Sequence, residues 1–277
     1  METRCMPDSE SYQRKTTEEL RKAFVLDGLF VPGSVHMVYS DADRAIVGGA
    51  VPTGVPLQLL ATKREMAAEF FAERREVGIV NVGNEGTVRA DGHAYSLGHK
   101  DMLYLGRGTR TIEFTSLHAD HPAVFYFVSF PAHASYPSAL ARSGEAEKSH
   151  LGSSEAANKR TINRYIHAGG VKSCQLVMGL TDLESGSVWN TMPPHTHMRR
   201  SEIYLYFGLD AESVVVHLMG KPQETRSLIL RNQEAVISPA WSVHCAAATR
   251  NYSFVWAMGG ENQEFSDMDP VGMKDLH

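Results

Sequence analysis

Residues 195–208 read "HTHMRRSEIYLYFG", a histidine pair, a polar turn and a run of large apolar side chains. Residues two apart on a strand point to the same face. His195 and His197 therefore share a face, and the run from Ile203 to Phe207 has the branched and aromatic composition of a buried strand. Glu202 has the wrong parity to join the histidines on one straight strand, but "MRRS", residues 198–201, is polar enough to turn and reset it. Downstream, "SPAWSVHC", residues 238–245, places His244 behind Pro239 on a further strand. Three imidazoles and one carboxylate form a full donor set for a borderline divalent cation.

Working outward, the chain is strand-rich on both sides of this stretch. Segments such as "VGIVNVG", "DMLYLG", "TIEFTSL", "AVFYFVSF", "SVVVHLM", "EAVISP" and "YSFVWAM" are short and punctuated by Gly, Pro, Asn and Asp. This pattern predicts an all-β sandwich or barrel. A short helix is expected near residues 16–25, "TTEELRKAF", with Thr16 or Thr17 as its N-cap and a glutamate close behind. Residues 141–160 are rich in Ser, Ala, Glu and Lys and read as a linker. The two sides of that linker follow the same course: "ERREVGIVNVGNEGTV" from Glu73 runs like "RRSEIYLYFGLDAESVVV" from Arg199, and "GHKDMLYLGRGTRT" like "RNQEAVISPAWSVH". Glu76 then falls opposite Glu202, Gly106 opposite Pro239, and Thr111 opposite His244. The expectation is a duplicated barrel with domains 1–145 and 146–277. The first copy offers Glu69, Phe71 and Thr111 where the second has its histidines, so it is expected to bind no metal.

With 277 residues the chain is long enough for two cores. The formal net charge of -5 carries no basic excess for gripping phosphates, so nucleic acid is excluded as an expected partner. No run approaches the roughly 20 apolar residues of a membrane span, and the start lacks the apolar core of a signal peptide. Cys5, Cys174 and Cys245 are too scattered for a disulfide framework or a metal clip. These features predict a cytoplasmic protein.

"HTHMRRSE" with Gly208, and "SPAWSVH" downstream, resemble the two motifs of the cupin superfamily. Trp241 and Ala248 stand where the second motif has glycine and asparagine; neither departure removes a ligand. A resemblance to the 5-dehydro-4-deoxy-D-glucuronate isomerase family covers nearly the whole chain. It is carried by "MVYSDADRAIVGGAVP", "FFAERREVGIVNVG", "KRTINRYI", "CQLVMGLTDLESGSVWNTMPPHTHMRRSEIYLYF", "MGKPQETR", "AVISPAWSVH" and "GENQEFSDMDPVGMKDLH". That resemblance implies a bicupin of two jelly-roll-like β-barrels with a few short helices. It implies one zinc per chain on the residues matching His195, His197, Glu202 and His244, and a cytoplasmic homohexamer. The implied substrate is a small sugar acid, isomerised from aldose to ketose through a zinc-assisted enediolate. The implied product is 3-deoxy-D-glycero-2,5-hexodiulosonate, as in pectin and uronate breakdown.

The residues do not single out the base that would carry the proton between C2 and C1; Glu224, Glu261 and Tyr206 are the candidates. For the substrate carboxylate, Arg160, Arg164, Arg199 and Arg200 are candidate bidentate partners. Two other readings fit the ligand set: a cupin dioxygenase holding iron on the same four residues, and a non-catalytic sugar-acid-binding module.

Overall fold

The computed structural model describes residues 1–277; its regular structure is mostly β-strand, with two short α-helices. The chain divides into two compact units. One comprises Met1–Arg4, Gly28–Glu147 and Tyr165–Met178; the other comprises Cys5–Asp27, Lys148–Arg164 and Gly179–His277.

In the first unit a seven-stranded sheet runs in the order Glu2–Arg4, Val35–Ser40, Ile46–Ala50, Phe125–Pro131, Arg75–Asn81, Met102–Leu105, Ala139–Ala141. A four-stranded sheet has the order Leu57–Gln58, Ile112–Ser116, Gly86–Ala90, His93–Leu97. Val77, Ile79, Leu103 and Phe127 of the first sheet and Val88, Ile112 and Phe114 of the second share one buried apolar cluster. Alternation at a period of two puts these side chains inside.

The same plan recurs. A seven-stranded sheet, Glu147–Leu151, Arg160–Ile166, Val177–Leu183, Ser253–Gly260, Arg200–Phe207, Ala235–Ser238, Val25–Leu26, accompanies a four-stranded one, Trp189–Asn190, Val243–Ala248, Val215–Lys221, Glu224–Leu230. A two-stranded ladder pairs His195 with Pro270 and Thr196 with Asp269. Matched position by position, the two sets have the same strand order, as the duplication in sequence predicts, except at the last place of the seven-stranded sheets, which Ala139–Ala141 fills from late in the first copy and Val25–Leu26 from ahead of both copies.

The register corrects one detail of that comparison. Val77 pairs with Leu105, the residue before Gly106, whereas Glu202 pairs with Ser238, the residue before Pro239. Val77, not Glu76, therefore stands opposite Glu202, and a slip of one residue reverses the face. Glu76 turns away from the apolar cluster. Its carboxylate accepts from the Tyr104 hydroxyl at 2.7 Å and from the backbone N–H groups of Cys174, Gln175 and Leu176 at 2.6, 2.6 and 2.8 Å.

Residues 141–160 are not wholly linker. Glu147–Leu151 form the outermost strand of their sheet, and an edge strand with mostly exposed side chains has the polar composition of a loop. The expected helix spans Thr17–Phe24 and is closed by a capping box: Thr16 accepts from the Glu19 N–H, and the Glu19 carboxylate accepts from the Thr16 N–H at 2.7 Å. Leu20 and Phe24 are its buried face. Trp241, one of the two residues departing from the cupin motif, packs against Phe24 of this helix and against Tyr12 before it, at ring-centroid distances of 6.4 and 4.8 Å. No helix is long and apolar enough to cross a membrane.

Candidate metal centre

Four donor atoms meet at one end of the second unit. His197 lies just before the turn at Met198 and Arg199; Arg200 then opens the long strand that carries Glu202, while His244 comes in on the four-stranded sheet. The Nε2 atom of His195 stands 3.1 Å from that of His197 and 3.0 Å from that of His244. The Glu202 Oε2 atom closes the ring at 2.9 Å from both His197 Nε2 and His244 Nε2. All four donors lie within 4.8 Å of one another.

The tautomers follow from the outer contacts. His197 Nδ1 donates to the Asp267 carbonyl at 2.7 Å and His244 Nδ1 to the Ser242 carbonyl at 3.2 Å, which leaves each Nε2 with its lone pair turned inward. Lone pairs and a carboxylate aimed at one point repel unless a cation lies between them. Donors about 2.1 Å from a common centre and near right angles to each other would be spaced by roughly 3.0 Å, which matches the ring. The residues fit a divalent ion.

Charge states agree. Burial, reinforced by His244, pushes His195 down to about 2, so its ring is neutral. Burial alone would raise Glu202, but the neighbouring His244 and His197 outweigh it and hold the carboxyl well below the usual carboxylate range. A neutral His195 ring and an ionised Glu202 carboxylate are the forms a cation requires of them.

A strap of C-terminal chain holds the ring from outside. The Arg199 guanidinium grips both carboxylate oxygens of Asp267, Asn262 donates to the same carboxylate at 2.7 Å, and Arg200 donates to the carbonyls of Glu264 at 2.6 Å and Asp267 at 3.1 Å. The Asp267 carbonyl thus serves a histidine of the ring and a buried arginine at once.

The ring opens into a cavity of about 270 Å³ whose walls are mainly apolar, including Trp256, Met258, Phe265 and Met268. Its ionisable lining besides the ring consists of Arg160, Arg200 and Tyr204. Tyr204 lies two residues beyond Glu202 on the same strand face, with its hydroxyl 3.0 Å from Thr191 Oγ1. Burial, followed by the charge of Glu202, raises the Tyr204 phenol well above its ordinary value, so it stays a neutral donor.

The KduI/IolB family profile matches residues 34–271. The 4-deoxy-L-threo-5-hexosulose-uronate ketol-isomerases of Caldicellulosiruptor bescii and Opitutus terrae are each 51% identical over 276 residues, covering 100% of both chains. This chain belongs to the KduI/IolB family. Among solved structures, an IolB-like protein from Salmonella typhimurium aligns with TM-score 0.70 at 13% identity, covering 90% of this chain and 96% of that one. A Bacillus subtilis oxalate decarboxylase mutant aligns with TM-score 0.57 at 10% identity, covering 83% and 73%. At such identities the likeness is one of fold, and it makes this KduI/IolB-family protein an all-β bicupin.

The remaining sequence candidates scatter. Glu224 is exposed and ion-paired to Arg226 at 2.6 Å. Glu261 is exposed, its N–H donating to the Arg199 carbonyl at 2.9 Å. Tyr206 is buried with its hydroxyl 2.8 Å from His217 Nδ1, outside the cavity lining. Arg164 stacks over Phe265 at 5.2 Å and donates to Ser149 Oγ, also outside the lining. Arg199 is committed to Asp267 and Arg200 to two carbonyls. Arg160 lines the cavity, donates to the Asn158 carbonyl at 2.8 Å and has no carboxylate partner. Tyr204, Thr191 and the Asp267 carbonyl were missed by sequence reading; only Tyr204 left a signal, its parity with Glu202.

Proposed function

We propose that this protein is the aldose–ketose isomerase that converts 5-dehydro-4-deoxy-D-glucuronate to 3-deoxy-D-glycero-2,5-hexodiulosonate, with one zinc held by His195, His197, Glu202 and His244. The observation that carries the reading is the closed ring of three Nε2 atoms and one carboxylate oxygen facing a cavity with an uncompensated guanidinium. The names of its full-length relatives supply the substrate class. When bound, the divalent ion supplies Lewis acidity, acidifying the C2 proton beside the polarised carbonyl.

The chain's own residues would orient the substrate and stabilise the developing charge, while the base that carries the proton from C2 to C1 is none of the three residues named from sequence. Arg160 takes the substrate carboxylate in a bidentate pair and sets the reacting end toward the ring. Tyr204, backed by Thr191, donates to a substrate oxygen as charge builds there. The apolar walls exclude water, which strengthens both interactions. In this reading Arg199 and Arg200 are positioning residues, and the first barrel, taken as residues 1–145, carries no metal. Three free cysteines support a reducing, cytoplasmic setting. The homohexamer is taken from the family resemblance, and light scattering tests it.

The deciding experiment is turnover of the unsaturated uronate released by pectate lyase and oligogalacturonate lyase, measured with and without chelator beside metal analysis of the purified protein. Conversion to the diulosonate that stops on chelation and returns with zinc is expected. Stoichiometric iron with oxygen consumption would make the protein a dioxygenase, and no turnover by metal-loaded protein would leave a binding module.

A further inference from the structure

We propose that the first unit carries a second, metal-independent site, an arginine-lined cavity that takes a small oxyanion such as a carboxylate or a phosphate. The cavity measures about 440 Å³, and its lining includes Arg44, Arg64, Arg74, Arg75, Tyr39 and Glu65. Glu65 is taken by the Met1 ammonium at 2.5 Å, and Arg74 is paired with Glu73 at 3.1 Å. Arg44 and Arg75 have no carboxylate partner, and Arg64 reaches one only through its charge on the Glu65 that Met1 already pairs. In a chain with a net charge of -5, such a gathering of cations runs against the whole.

Arg75 is the strongest sign. It is 8% exposed, yet all its acceptors are neutral: Ser129 Oγ at 3.0 Å, and the carbonyls of Ser129 and Arg44 at 2.7 and 2.5 Å. Burial lowers its pKa to about 10, so it is still charged at neutral pH. A buried charge without a counter-ion is costly unless something else compensates it. The cavity's backbone is also constrained, since Arg44 and Ala67, both in its lining, hold φ values of 54° and 50° without being glycine. Such conformations are kept where surrounding structure enforces them, and they concentrate at ligand clamps.

The register gives the site a history. Arg75 lies two residues before Val77, as Arg200 lies two before Glu202, and Val77 and Glu202 hold matching places in their sheets. The first copy thus keeps the buried guanidinium of the second while Phe71 and Val77 fill its interior with hydrocarbon. What remains is the chemistry for an anion without the chemistry for a metal. Guanidinium forks match carboxylate and phosphate oxygens bidentately.

The test is calorimetric titration of the full-length, metal-loaded protein with inorganic phosphate and, separately, with D-galacturonate. Arg64→Ala and Arg44→Ala should each weaken the new site at least tenfold while melting like the parent; Arg75→Gln should abolish it, and the two milder variants cover its failure to fold. Arg160→Ala and His197→Ala in the second unit should leave it intact. Tighter phosphate binding would name a phosphorylated ligand, and tighter galacturonate binding a sugar acid. No saturable binding of either, or binding insensitive to Arg44→Ala and Arg64→Ala, would overturn the proposal.

Discussion

Glu202 and Tyr204 are two residues apart on one strand, and burial acts on them in opposite ways. The carboxyl is held well below the usual carboxylate range within the donor ring, while the phenol is kept neutral by burial and by that same carboxylate. One face of one strand therefore offers a cation ligand and a proton-bearing donor side by side. Tyr204→Phe should lower kcat roughly 100-fold with metal content and KM little changed; an unaltered kcat would remove Tyr204 from the reaction. Arg199→Ala should act differently, releasing the Asp267 strap and weakening metal affinity about 10- to 100-fold, as read by competition with a chelating dye. His197→Ala or His244→Ala should lose metal and turnover together, whereas Thr111→Ala should lose neither. Among the thiols, burial pushes Cys245 up to about 12, so maleimide at pH 8 should label exposed Cys5 and spare Cys245 until the protein unfolds.

At the scale of elements, what was legible in sequence was whatever side-chain chemistry alone determines. The strand Arg200–Phe207 announced itself by composition, and the helix Thr17–Phe24 by its cap. The four side chains that converge, His195, His197, Glu202 and His244, were legible as a group because donor types able to hold a metal recur at recognisable spacing. The Asp267 carbonyl was not, since every residue carries one and only the fold brings this one to His197, 70 positions away in sequence. Arg160 and Arg200 looked alike for the same reason: the carbonyls that occupy Arg200 come from Glu264 and Asp267. Glu76 was paired with Glu202 by identity, and strand parity overruled identity. The capping box permits a quantitative check. Thr16→Ala should cost about 1 kcal/mol, seen as a lower denaturation midpoint with an unchanged slope.

For the molecule as a whole, His217 ties stability to pH. It is fully buried with Nδ1 facing the Tyr206 hydroxyl, and burial lowers its pKa to about 3. The unfolded chain binds that proton near 6.5, so the contribution is complete above about 6.5 and is lost as pH falls toward 3. His217→Gln should flatten the fall in unfolding free energy between pH 6.5 and 5 by at most about 1.4 kcal/mol per pH unit, measured as the difference between parent and variant under the same metal load. Equal slopes would mean that other groups govern the acid limb.

Residues 5–27 belong to the same unit as the His195, His197, Glu202 and His244 cluster, although some 120 residues of the other unit, Gly28–Glu147, follow them along the chain. During synthesis the first unit can begin to close as its strands emerge, but Tyr12 and Phe24 have no Trp241 to cover until nearly the whole chain is made. At roughly 5–20 residues per second, that wait is on the order of ten seconds or more. For that interval the apolar face of the helix, Leu20 and Phe24, lacks its aromatic partner, and the second unit cannot complete this packing before Trp241 is made.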